Sequence, residues 1–403
     1  MFARSVFNWF VAHVVSGPLY YLIDWRRIRH FDRLSERKIS ILVTEPVEVS
    51  ASFKSAQLMV RLIVVSILSV SAVHAAPIRA IPVKVVVVAN FENGKELGDK
   101  PGEYQFWVER ERLFETIAVR GATGPIRKNK QGLYGLLLEN LVPFLLDPRF
   151  DFSKTYWLFT GISGVDPQVA SVGSAAWARW VINGDELREI DDREIPAGWP
   201  YGLFAIGAMK PNTLPTDPNS FGSVESADEL GMAYPLNQGL VRWAYALTKD
   251  VKIPDTPALQ KQREAWVGFA NAQRAPFVLL GETLGSVRYW HGASRTQWAR
   301  DWVKLWTHGQ GVFAMTNMES QTAARTMQNF SKQHFVDVQR VMVLRTASNP
   351  SGPPPGRDAL ATIGDEEPGQ VAAYEANYRV GVPVIHELLD HWATYERTIP
   401  TAP

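Results

Sequence analysis

The 403-residue chain predicts an α/β layer fold. Three observations carry that expectation. A continuous β-branched run lies at Ile81–Asn90, and a second apolar run lies at Thr155–Thr160. Amphipathic helical patterns then alternate with short apolar segments to the end of the chain.

In order, IPVKVVVVAN at 81–90 suits a strand covered on both faces. Gly132–Leu145 reads as helix-like. Thr155–Thr160 (TYWLFT) reads as a buried strand that stops at Gly161-Ile-Ser-Gly164. Residues 174–183 read as a further strand, 226–248 and 257–271 as long amphipathic helices, and Pro276–Leu280 as a short strand. Arg295–Thr307 and Met318–Gln333 read as helices and Val338–Ala347 as a strand. Residues 369–397 read as mostly helix, interrupted at Gly381 and Pro383. Ligands of open α/β sheets collect outside the carboxyl ends of strands. Three such ends matter here: 89–94, 160–166 and 348–356.

Composition narrows the function. Lys+Arg 42 against Asp+Glu 41 gives a net charge of +1, without the basic footprint that nucleic-acid binding needs. With Cys 0, disulfides, thiolate zinc sites and cysteine nucleophiles are excluded. His386-Glu-Leu-Leu-Asp-His391 imitates a zinc helix, but histidines five apart are about 140° apart around a helix and do not share a face. No metal site is expected. Trp298, Trp302 and Trp306, at i, i+4, i+8, read as a core stripe.

The amino-terminal region differs from the rest. Met59 and Arg61 precede an apolar run, Leu62–Val73, and Val73-His74-Ala75 resembles a cleavage site before Ala76. Residues 59–75 are therefore expected to be a signal peptide, with cleavage near Ala75-Ala76. Residues 1–58 then read as an over-extended start or, through residues 5–23, as an anchor. Residues 76–403 read as one domain, periplasmic or secreted. Residues 1–75 hold 9 basic and 5 acidic groups, so the remainder carries 42 − 9 = 33 basic and 41 − 5 = 36 acidic groups, net −3.

Several segments suggest chemistry when taken together: Ala89-Asn-Phe-Glu92, Thr160-Gly-Ile-Ser-Gly-Val-Asp-Pro167, Asn317-Met-Glu-Ser-Gln321 and Arg345-Thr-Ala-Ser-Asn349. In this order they resemble the purine nucleoside permease family, within the nucleoside phosphorylase and nucleosidase superfamily. The resemblance spans about residues 81–395. It implies a three-layer nucleoside phosphorylase-like fold with a central mixed, mainly parallel sheet.

It also implies roles. Glu319 would accept both ribose hydroxyls, since one carboxylate can take two donors. Met318 would pack under the sugar. Asn349 stands where the superfamily contacts purine N7, and an amide there goes with 6-oxopurines. Thr160, Gly161, Ser163 and Gly164 would form the turn around the nucleoside, and Thr283 the base contact. Glu92, near the end of the first strand, matches the water-activating glutamate of the nucleosidase branch. Phe159 and Ile162 stand where phosphorolytic relatives place phosphate-binding groups, and neither can hold a phosphate. Arg120, Arg127 or Lys128 would have to substitute if phosphate were a co-substrate. The implied function is purine nucleoside binding linked to nucleoside uptake, or alternatively cleavage of the N-glycosidic bond by water or phosphate. No cofactor is implied. The implied partners are a purine nucleoside and a separate membrane carrier, with a homo-oligomer left open.

Overall fold

The computed structural model describes residues 80–216, 231–364 and 368–402. By contacts the chain divides into Met1–Ala76 and Pro77–Pro403, and the second unit is the one described. The expected signal peptide at 59–75 and the alternative anchor at 5–23 lie outside the described residues.

The body is built on a mixed 12-stranded sheet. At its centre, Val85–Ala89 pairs in parallel with Leu133–Leu137 on one side and Tyr156–Val165 on the other. All five residues of Val85–Ala89 are buried, which is why a β-branched run without polar alternation is stable there. Tyr156–Val165 also pairs in parallel with Val341–Pro350 and, near its end, antiparallel with Phe313–Asn317. Glu282–Gly285 lies in parallel between Phe313–Asn317 and Trp180–Asn183. Antiparallel hairpin strands 115–117 and 126–128 extend the edge beyond Leu133–Leu137.

Helices cover both faces. Adjacent strand residues point to opposite sides of a sheet, and Val181 and Ile182 fall in different hydrophobic cores. Val181 shares its core with Met327 of the Ser320–Lys332 helix. Ile182 packs with Trp298 and Trp302 of the Ala293–Trp306 helix. This gives three layers. The indole stripe on Ala293–Trp306 is a core element, as its spacing predicts. Trp290 joins it edge-on to Trp298, with ring centroids 5.9 Å apart.

Some elements differ from expectation. Residues 132–145 begin as the strand Leu133–Leu137, and only Leu141–Leu145 is α-helical. Short apolar runs fit either state, and here the free edge of Val85–Ala89 decides. Residues 174–183 split into Ala175–Trp177 and Trp180–Asn183, which pair with different partners. The helix expected at 226–248 is Gln238–Thr248, capped by the Asn237 side chain; residues 226–230 lie outside the described residues. The helix at 257–271 is shorter, Pro257–Arg263, started by Thr256 and Pro257.

Gly381 and Pro383 do not interrupt the last long helix, Gly369–Asp390. A Cβ on Gly381 would lie 2.8 Å from the Trp107 ring, so this glycine lets the helix seat on the indole. His386 pairs with Glu111 at 2.9 Å and His391 with Glu387 at 3.0 Å, so the two histidines serve different partners.

Candidate functional site

The carboxyl ends of the central strands open onto a cavity of about 230 Å³. Strand 156–165 does not stop at Thr160. It runs on to Val165, so Ile162, Ser163 and Gly164 form the cavity wall from within a strand. Strand 341–350 runs beside it and delivers Ser348 and Asn349. Strand 313–317 delivers Thr316 and Asn317, with Met318 and Glu319 just beyond. Phe91, Tyr289 and Trp290 add aromatic surface.

Asn317 organises the turn. Its Oδ1 accepts from the backbone N–H of Glu319 and Ser320, at 3.2 and 2.9 Å, and so fixes the turn that leads into the Ser320–Lys332 helix. Its Nδ2 donates to Thr283 Oγ1 at 2.5 Å. Thr283 therefore sits behind the wall, holding Asn317, and does not line the cavity.

Glu319 faces a buried cation. Arg345 is fully buried, with Nη1 3.4 Å from Glu319 Oε2 and Nε donating to Ser320 Oγ at 3.0 Å. Its Nη2 has no protein hydrogen-bond partner. Gly161 makes room for this group. A Cβ there would lie 2.6 Å from both Arg345 Nη1 and Glu103 Oε1, and it would also meet Asn90 Nδ2. Thr160 lies one residue deeper; its hydroxyl bonds Asn377 and is away from the cavity.

The sequence did not point to Glu103. This buried side chain lines the cavity and accepts from Asn90 N–H (2.8 Å), Asn90 Nδ2 (2.8 Å) and Ile162 N–H (2.6 Å). Its pKa is pushed up to about 7, chiefly by burial and further by the Glu319 charge; Arg345 and the backbone donors oppose the rise. Glu92, expected near this position, lies off the cavity. Its carboxylate accepts from Asn93 N–H (2.8 Å), Tyr104 N–H (3.0 Å), Gln105 N–H (2.6 Å) and Gly102 N–H. Four backbone donors occupy it, so Glu92 holds the loop that carries Glu103 in place.

Asn349 is oriented by its neighbours. Ser348 Oγ lies 2.7 Å from Asn349 Oδ1 and 3.2 Å from Ser163 O. One hydroxyl carries one proton, and the shorter contact takes it. That leaves Asn349 Nδ2 as the group facing Tyr289 Oη, at 3.3 Å. Ser163 Oγ, also at the wall, has no protein partner.

The cavity thus brings together Ser163, Gly164, Met318, Glu319 and Asn349. It leaves Thr160, Thr283 and Glu92 outside, with Gly161 just beneath. Phe159 is buried in the core and Ile162 is an apolar wall residue. Arg127 pairs with Glu96 and Lys128 with Glu115, and neither they nor Arg120 line the cavity. The cation in the wall is Arg288, bound to Glu189 at 2.8 Å.

Comparison with known proteins completes the picture. Among solved structures, the chain is similar to the 5′-methylthioadenosine/S-adenosylhomocysteine nucleosidase of Neisseria meningitidis in complex with methylthio-immucillin-A. The identity is 12%, covering 76% of this chain and 99% of that one, with a TM-score of 0.42. It is also similar to futalosine hydrolase of Helicobacter pylori, at 12% identity over 76% of this chain and 98% of that one, with a TM-score of 0.42.

Among curated sequences, a Schizosaccharomyces pombe protein named "Probable purine nucleoside permease" is 26% identical over 63% of this chain and 73% of its own. The purine nucleoside permease of Candida albicans is 27% identical over 61% of this chain. The match spans 59% of that relative's length. The family model for purine nucleoside permease (NUP) matches residues 82–400, and the chain belongs to that family.

Proposed function

We propose that this cavity binds a purine nucleoside and that the chain serves nucleoside uptake. The observation that supports this most is the placement of Glu319 and Asn349 on one cavity. A carboxylate that can accept two vicinal hydroxyls and an amide N–H that can donate to a purine ring are both within reach of one small molecule. Relatives named for purine nucleoside uptake share the family. In this reading the protein captures nucleoside outside the cytoplasm, exported through residues 59–75, and passes it to a separate membrane carrier.

A second reading, hydrolysis of the N-glycosidic bond, is favoured by Glu103. A carboxylate with pKa about 7 at the cavity wall is suited to take a proton from water near neutral pH. Water oxygen would bond to the anomeric carbon as the bond to the purine nitrogen breaks and Glu103 takes the water proton; the base would leave as an anion held by the Asn349 amide hydrogen bond and then take up a proton from solvent. Water fits this wall better than phosphate, because Phe159 and Ile162 offer a phosphate nothing and Arg288 is engaged by Glu189.

The test mixes purified protein with inosine, guanosine or adenosine, with and without phosphate. Calorimetry reads binding and chromatography reads free base. Saturable binding without base release supports the uptake role alone. Release independent of phosphate adds hydrolysis, and release only with phosphate refutes the water reading. An absence of binding to all three nucleosides refutes the proposal.

A further inference from the structure

The Asn349 amide nitrogen at the cavity wall is already engaged within the protein. A side-chain amide carries two N–H groups. Two acceptors lie within reach of Asn349 Nδ2: Pro350 O at 3.2 Å and Tyr289 Oη at 3.3 Å. A purine ring nitrogen can take a hydrogen bond here only when one of them yields. Pro350 is the next residue of the same strand, so its carbonyl moves with Asn349. Tyr289 comes from a different segment, lines the cavity and is 41% exposed. Its phenol is the acceptor a ligand can replace.

The hydroxyl is also tethered independently of Asn349. Its single proton goes to Ile363 O, at 3.3 Å, so a lone pair is what faces the amide. Two residues on, His291 Nε2 lies 2.9 Å from Thr362 Oγ1, a second tie between the same two segments. Residues 286–292, which carry both ties, are pinned at each end. Ser286 Oγ donates to Asp185 Oδ1 at 2.8 Å, and Gly292 N–H donates to Ser351 O at 3.0 Å. Tyr289 Oη is thus kept beside the amide, able to yield its N–H to a ligand and to take it back.

We infer that Tyr289 is a specificity-determining residue of this cavity, whose hydroxyl competes with purine N7 for the Asn349 N–H. The inference rests on the nucleoside reading of the cavity. A nucleoside that brings the ring nitrogen exchanges one hydrogen bond for another, so its net gain at this point is small. A nucleoside that lacks it leaves the bond between Asn349 and Tyr289 in place, and no buried donor is left unsatisfied. The phenol therefore flattens discrimination at N7 and widens the range of bases the cavity accepts. Phenylalanine at this position would narrow that range.

The test measures inosine and 7-deazainosine, in which a C–H replaces N7, on the parent chain and on Tyr289→Phe by calorimetry. The substitution keeps the ring and removes only the hydroxyl, and the melting temperature checks the fold. In the variant nothing competes for the amide, so inosine gains affinity. 7-Deazainosine leaves the amide N–H unbonded and loses affinity. The ratio of the two affinities is expected to rise about fivefold over the parent's, as one neutral hydrogen bond gives. In an Asn349→Ala background the same substitution should leave the ratio unchanged, and a rise there overturns the proposal. An unchanged or lower ratio in Tyr289→Phe itself also overturns it, because a phenol that only packs on the base, or bonds the ligand at another atom, affects both nucleosides alike. A parent that binds neither nucleoside overturns the nucleoside reading and this inference with it. A parent that binds inosine, with no rise in the variant's ratio, overturns this inference alone.

Discussion

Glu103 gives the most direct check on the electrostatics of the cavity. The perturbation is Glu103→Gln. In the fold this carboxyl has a pKa of about 7, against 4.5 for an ordinary glutamate. The gap, about 7 less 4.5, corresponds to roughly 3 kcal/mol at 1.36 kcal/mol per pH unit. The sign follows from a raised carboxyl. Its neutral form is the one the fold prefers, so its stabilising contribution is complete below pH 4.5 and lost as pH rises through about 7. Gln carries no proton to lose, so the variant lacks this slope. It also faces one backbone donor with its own N–H, which adds a penalty of about 1 kcal/mol that does not vary with pH. Urea unfolding of both proteins across this window gives the difference in stability at each pH. That difference should shift in the variant's favour by roughly 3 kcal/mol in total, most steeply between the two pKa values. Subtraction cancels titrating groups that do not interact with Glu103, including the buried Glu282. A difference flat with pH would refute the assignment of a raised pKa to Glu103.

Further outcomes follow from the same geometry. If Glu319 accepts the ribose hydroxyls, Glu319→Gln should weaken inosine binding about tenfold to a hundredfold, as loss of charge-assisted hydrogen bonds gives. Binding of 2′,3′-dideoxyinosine should then be the same in parent and variant by calorimetry; an equal loss for both ligands would move Glu319 away from the sugar. Gly161→Ala should destabilise by about 1–3 kcal/mol in urea unfolding and also weaken inosine binding, because its Cβ would press on both Glu103 and Arg345. Ser348→Ala frees the Asn349 amide to turn over, and calorimetry should show the inosine-to-adenosine affinity ratio falling about fivefold. If base release occurs, its rate should rise with pH to a plateau above about 7, as an ionised Glu103 acting as base requires.

Much of the site was legible in the sequence because its parts sit at strand ends. Val85–Ala89 announces itself by β-branching, and Asn349 lies near the end of the Val341–Pro350 strand; Met318 and Glu319 were legible only through their motif, since the strand Phe313–Asn317 before them has a single β-branched residue. The glycines after Thr160 misled in one respect. Gly161 and Gly164 read as a loop, yet both lie inside a strand; Gly161 is small there because Asn90, Glu103 and Arg345 crowd its position. Residues 133–137 were hidden because a five-residue apolar run fits strand and helix alike, and only the neighbouring strand decides. Glu92 and Glu103 show the firmer limit. Both belong to one irregular loop region, and what separates them is the direction of backbone N–H groups at 93, 102, 104 and 105, which no local pattern encodes. Arg345 lay in a recognised motif, but its burial between two carboxylates depends on three separate segments meeting.

The indole of Trp290 is at once a wall of the cavity and the first member of a row that continues through Trp298, Trp302 and Trp306 at centroid spacings of 5.9, 5.9 and 5.6 Å. Rings that close exchange excitation readily, so quenching at the member that borders the cavity drains light from those behind it. The molecule therefore carries its own optical gauge of occupancy, readable in unlabelled material by ultraviolet emission.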